Sequence, residues 1–157
     1  MPAGPYLTSL LKHALEMQSE IEPLSLPRGK QPTLRIVPMP ADTNYAGSIF
    51  GGWILSHVDI AGSIAAIQRA QGRVVTVAIN SVEFHEPVFV GDVVSCYAEV
   101  IGVGRTSITV KVDVYAERNP ERVQVLKVTQ AVLVYVALDK DLRPRVVPPE
   151  EEAVPNE

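Results

Sequence analysis

The sequence predicts an α+β domain: one long helix packed against a strongly twisted antiparallel sheet. Three observations carry this. An apolar stretch of helical length follows a short strand-like segment and a loop, and four long strand-like segments come after it. Those four are separated only by Pro87–Gly91, Gly102–Gly104 and Asn119-Pro120, and short connections between long strands favour antiparallel pairing. In the third, Ile108, Val110, Val112 and Val114 alternate with Thr109, Lys111, Asp113 and Tyr115, the pattern of a sheet with one buried face.

The elements follow in order. Residues 1–32 read as an extension: a single amphipathic helix over 6–20, with Leu7, Leu10, Leu11, Ala14 and Met17 at helical spacing, then a linker broken by Pro23, Pro27 and Pro32. The folded domain is expected over 33–147. Residues 33–38 (TLRIVP) form a short strand, and 39–52 (MPADTNYAGSIFGG) a loop. A helix of about 18 residues runs from near Gly52 to Ala70, with Gly72 as its stop. Strands are expected over 73–86, 91–103, 105–117 and 121–138, and 148–157 form a loose acidic tail. No internal repeat is visible.

Composition narrows the function classes. The chain has 157 residues, 46% hydrophobic and 20% charged, which supports one domain with a real core. Its net charge of -4 argues against a general nucleic-acid binder. The one cysteine, Cys96, permits no intrachain disulfide and reads as a small buried hydrophobe, which fits a cytoplasmic protein. The most apolar stretch, Trp53 to Ile67, is interrupted by Ser56, His57, Asp59 and Ser63, so a membrane-spanning helix is not expected.

The helix is the informative element. Trp53, Ile54, Leu55, Val58, Ile60, Ala61, Ile64, Ala65, Ala66 and Ile67 place apolar side chains on nearly every side, which predicts burial all round. Gly62 weakens a helix interior, so close packing against a strand is its expected reason. Asp59 sits too far from the helix start to be an N-cap. It either faces solvent at a gap in the sheet, forms a structural ion pair, or is a carboxylate set in a cleft. The loop before it supplies Gly47, Gly51 and Gly52 around the helix entry, where free N–H groups can polarise a carbonyl. Asn44 offers an amide nearby. Ser63, at i+4 from Asp59, can orient a water. His57 faces elsewhere and reads as packing or surface.

The stretches PADTNYAGSIFGGWILSHVDIAGSIAA and GRVVTVAINSVEFHEPVFVGDVVSCYAEVIGVGRTSITVKVDVY closely resemble the YciA-type bacterial acyl-CoA thioesterases of the hotdog fold, over about residues 33–147. The resemblance implies a long central helix wrapped by a five-stranded antiparallel sheet, dimers that pair their sheets with active sites at the interface, and assembly to hexamers. It implies that Asp59 is the catalytic acid, that Asn44 acts from the opposing subunit, and that Gly51 and Gly52 offer backbone N–H groups to the thioester carbonyl. Phe50, in the same turn, falls on the substrate side. The chain departs from the pattern at Ala46, where relatives often carry a second Asn, and at Ser48, where they carry an acidic residue.

The expected reaction is hydrolysis of acyl-CoA to a carboxylic acid and CoA, with Asp59 as general base or as nucleophile. No cofactor is expected, and His13, His57, His85 and Cys96 lack metal-ligand spacing. Arg105, Thr106 and Ser107 in the GRTS turn are candidates for a CoA phosphate, against the alternative of a hairpin with a solvated Arg. Thr76 and Val77 are candidates for the pantetheine channel. The rival functions are a non-catalytic acyl-CoA sensor and a hotdog hydratase or dehydratase. The sensor lacks a basic recognition helix in 1–32, and the hydratase lacks a suitable His beside Asp59.

Overall fold

The computed structural model describes residues 24–150. The helix expected over 6–20, and the acidic tail beyond 150, lie outside them. The described chain runs β1 (Leu34–Ile36), α1 (Gly51–Ala70), β2 (Val74–Phe84), β3 (Val93–Val103), β4 (Ser107–Arg118) and β5 (Gln124–Ala137). The loop before α1 contains a short 3-10 turn, Pro40–Asp42. It starts with Pro40 and is closed by the Asp42 carboxylate, which accepts from Met39 N–H at 2.7 Å.

The five strands form one sheet in the order β1-β3-β4-β5-β2. Every neighbouring pair is antiparallel; the short connections join ladder partners at β3–β4 and β4–β5, whereas Pro87–Gly91 carries the chain from the β2 edge across to β3, and those two strands do not pair. The core follows from strand parity: Ile108, Val110, Val112, Val114 and Ala116 of β4, with Ala131, Leu133, Tyr135 and Ala137 of β5, are fully buried. They receive Ile54, Val58, Ala61, Ala66 and Ala70 from one side of α1.

Two expectations about α1 need correction. The helix is not buried all round: Ile60 and Ile67 remain 46% and 45% exposed. A five-stranded sheet curls around only one side of it. The helix ends at Ala70 as expected, but the residue that stops it is Gln71 rather than Gly72. Gln71 takes the left-handed conformation (φ 51°), and Arg145 donates from Nη2 to the last carbonyl, Ala70 O, at 2.7 Å. Gly72 serves that contact, since a Cβ there would lie 2.6 Å from Arg145 Nη2.

β2 is a sheet edge with two register shifts, at Val77 and Asn80, and bulges blunt an edge. Its Val75, Val77, Ile79 and Phe84 side chains are 43–54% exposed. Ile79 and Phe84, paired with the buried Leu133 and Thr129 on the helix-facing side, join Ile60 and Ile67 of α1 in leaving apolar surface open there, whereas Val75, paired with Val136, lies on the opposite face.

Candidate active site

Asp59 sits in mid-helix, half-buried, and one of its oxygens is fully engaged. Oδ1 accepts from Thr76 Oγ1 at 2.7 Å and from the Tyr135 hydroxyl at 3.1 Å. The same hydroxyl lies 3.1 Å from the Asp59 carbonyl. Oδ2 has no partner among the described residues. No cation lies within ion-pair distance of Asp59 among those residues, so the ion-pair reading of it is set aside.

Local sequence explains this clamp. Thr76 of β2 and Tyr135 of β5 face each other in the ladder, so both hydroxyls rise from one spot on the sheet. The phenol reaches the helix only because residue 62 has no side chain: a Cβ there would collide with the Tyr135 hydroxyl. The close packing expected of Gly62 therefore has a named partner. Burial, then the neighbouring Asp59 charge and the hydrogen bond to it, raise the pKa of the Tyr135 hydroxyl, against a smaller opposite pull from Thr76. It stays protonated and remains a donor.

The loop before the helix is organised by Asn44. Its Oδ1 accepts from Ala46 N–H at 2.9 Å and Ser48 N–H at 3.2 Å, and its Nδ2 donates to Ser48 Oγ at 3.0 Å. Gly47 takes a φ of 88° in this turn, a conformation that favours glycine. Phe50 N–H bonds to Asp42 O at 2.9 Å, and Ile49 N–H to Val88 O at 2.8 Å. The Val88 segment is itself pinned. Arg118 grips the buried Asp92 with Nε and Nη2 at 2.9 and 2.8 Å and bonds Pro87 O at 2.8 Å, while its guanidinium lies over the Phe89 ring. The helix entry is thus held from both sides.

At that entry the Gly51 and Gly52 N–H groups find no acceptor among the described residues, and Phe50, in the N-cap position, supplies no side-chain cap. Free amides and the helix dipole make this an oxyanion-binding turn in chemical type. A Cβ at Gly51 would meet only the Phe84 ring, at 3.8 Å, so the approach to its backbone is open. Phe50 itself is 60% exposed.

Within one chain these parts do not converge. Asp59 follows Gly51 by eight residues, about 12 Å along a helix axis. A carboxylate and an N–H donor that grip one carbonyl span roughly 6 Å. Asn44 makes no hydrogen bond to Asp59 either.

The remaining candidates separate cleanly. Thr76 is tied to Asp59, whereas Val77 lies on the exposed edge. Arg105 is exposed and has no ion-pair partner among the described residues. Thr106 and Ser107 shape the turn through their carbonyls, which accept from Ala137 N–H at 2.9 Å and Gly104 N–H at 2.8 Å. Ser63 donates its hydroxyl to Ile60 O at 2.8 Å, which leaves only its acceptor lone pairs for a water. His57 packs on Trp53, with ring centroids 4.1 Å apart. Cys96 is buried, its thiol pushed up to about 12 by burial. Among the described residues, no three His, Cys, Asp or Glu gather as a metal site would require.

Sequence reasoning missed Tyr135. Its signal was parity: it shares the buried face of β5 with Leu133 and Ala137, and a buried tyrosine hydroxyl needs a partner.

Comparison with known proteins gives the family and the fold. Residues 46–123 match the thioesterase superfamily model. The acyl-CoA thioester hydrolase YciA of Salmonella typhimurium is 47% identical over 117 residues, 73% of this chain and 88% of that protein. A hexameric hotdog fold thioesterase of Campylobacter jejuni superposes with a TM-score of 0.74 at 46% identity, covering 78% of this chain and 93% of the other. A hexameric thioesterase of Yersinia pestis gives 0.73 at 47% identity, covering 80% and 100%. The chain belongs to the thioesterase superfamily, as a YciA-type acyl-CoA thioester hydrolase of the hotdog fold.

Proposed function

We propose that this protein hydrolyses acyl-CoA at sites shared between two protomers. The observation that carries this is the division of the machinery. Among the described residues, one chain holds a carboxylate with a single free oxygen and, about 12 Å away along the helix, a turn of unpaired amides. Neither set grips a thioester alone. A second protomer laid against the open apolar side formed by β2, Ile60 and Ile67 supplies the missing half to each.

In this arrangement, Gly51 and Gly52 N–H groups of one subunit hold the thioester oxygen, with Gly52 closest to the reacting carbonyl. Asp59 of the other stands beside the carbonyl carbon. Asn44 acts across the interface, exchanging part of its loop bonding for the substrate or the attacking water. The Asp59 carboxylate takes a proton from water as the oxygen attacks, or attacks first and is then released by water. In either case the C–S bond breaks and CoA leaves as a good thiolate, which recovers the proton. This chemistry needs no metal or organic cofactor. Phe50 and Val77 line the acyl and pantetheine path. Arg105, with the Thr106 and Ser107 backbone around it, meets a CoA phosphate. The dimers assemble to a hexamer, the assembly of the Campylobacter and Yersinia thioesterases. The cytoplasm suits a chain whose one thiol is free and buried.

Complementation tests the shared site. Asn44→Ala and Asp59→Asn are each expected to abolish turnover. Random mixed dimers carry one intact site in half of the pairs, which restores about 25% of wild-type activity. Mixed oligomers that stay inactive contradict a site built from two chains.

A further inference from the structure

We propose that Tyr135 and Thr76 are positioning residues for the reaction: together they clamp Oδ1 of Asp59, so that Oδ2 alone is left to meet substrate. The inference rests on the assignment of Asp59 to the chemistry and adds which of its oxygens acts and what holds it.

The clamp is built from three separate elements. Thr76 of β2 donates at 2.7 Å and Tyr135 of β5 at 3.1 Å, both to the same oxygen. The two residues are ladder partners, so the sheet fixes their spacing. Immediately after Thr76 the register shifts at Val77, and a bulge re-aims the side chains beside it. From α1 comes Gly62, whose missing side chain opens the space for the phenol. A phenylalanine would fill the core position of Tyr135, which is 0% exposed, and would leave residue 62 a closest contact of 3.1 Å in place of the collision with the hydroxyl. The hydroxyl also lies 3.1 Å from the Asp59 carbonyl, so one proton is held between backbone and carboxylate of the same residue. That ties the carboxyl plane to the helix axis. With Oδ1 occupied by two donors, rotation about the side chain's last bond is blocked, and the attacking oxygen is pre-oriented. No charged group of α1, β2 or β5 stands within ion-pair distance of Asp59 among the described residues, so the two hydroxyls alone hold it.

The test is steady-state thiol release from an acyl-CoA by the full-length protein, with oligomeric size checked for every variant. Tyr135→Phe and Thr76→Val are each expected to lower kcat by about 10- to 100-fold, the usual effect of losing a hydrogen bond to a charged group. KM stays within about twofold, because ground-state binding is untouched. Thr76→Ser, which keeps the hydroxyl, is expected to retain most of kcat. Should Tyr135→Phe not assemble, the Thr76→Val and Thr76→Ser pair carries the same test. The proposal is overturned if both Tyr135→Phe and Thr76→Val keep wild-type kcat while Asp59→Asn is dead, or if only KM moves. Wild-type turnover by Asp59→Asn overturns the role of Asp59 itself, and the clamp with it.

Discussion

Gly62→Ala sets two effects of opposite sign against each other. Replacing a glycine inside a helix by alanine gains about 1 kcal/mol of helix propensity. Here the new Cβ lands on the Tyr135 hydroxyl, with the ring carbons Cζ and Cε2 at 3.1 and 3.3 Å behind it. Tyr135 is fully buried in the central part of the sheet and has no room to retreat. Overpacking of this kind costs about 1–3 kcal/mol. Pushing the phenol off its acceptors costs a further 1–3 kcal/mol or so for a buried unpaired hydroxyl. The balance is a net loss of roughly 1–5 kcal/mol, so sterics win. Urea denaturation at fixed protomer concentration measures it, the concentration being held because assembly stabilises by mass action. In a Tyr135→Phe background the closest contact left is 3.1 Å, so the same substitution is expected to cost at least about 1 kcal/mol less, a coupling typical of touching residues. If Gly62→Ala stabilises both backgrounds equally by its helix propensity, the hollow is not what the glycine provides and the account of the clamp fails.

Three further outcomes are expected. Arg118→Met leaves Asp92, 2% exposed, buried without its bidentate partner and is expected to destabilise by about 3–5 kcal/mol; a loss under 1 kcal/mol in a urea melt would show the pair to be dispensable. Cys96, with its thiol pushed up to about 12 by burial, is expected to resist alkylation at pH 8 in the native protein and to react once unfolded; rapid native labelling, followed by mass spectrometry, would contradict its burial. Ile79→Asp on the exposed β2 edge is expected to shrink the assembly in light scattering and to remove activity with it, whereas an active monomer would argue against shared sites.

Much of the fold was legible because periodicity is local. The helix expected over 52–70 spans Gly51–Ala70, and β4, read from its alternation, carries Ile108, Val110, Val112 and Val114 at zero exposure. The glycine turn at the helix entry was legible too, and its Gly51 and Gly52 N–H groups find no acceptor among the described residues. What depends on distant pairing was not. Thr76 and Tyr135 meet Asp59 across 17 and 76 positions of the chain, and which strand lies at the sheet edge decides whether Asp59 faces solvent. Neither follows from spacing. The Asp92–Arg118 staple was hidden for the same reason. Ser63 sits on the right face for a role beside Asp59, but its hydroxyl bonds back to Ile60 O, a competition that residue spacing does not resolve.

Asp59 is the residue we propose to carry out thioester hydrolysis. The most direct test is free-thiol release from short-, medium- and long-chain acyl-CoAs by wild-type protein and by Asp59→Asn of the same oligomeric size. Turnover by the wild type is expected on at least one chain length, with near-complete loss in the variant and acyl-CoA still bound. Wild-type protein that binds acyl-CoA yet releases no thiol from any of them would contradict it and point to a ligand sensor.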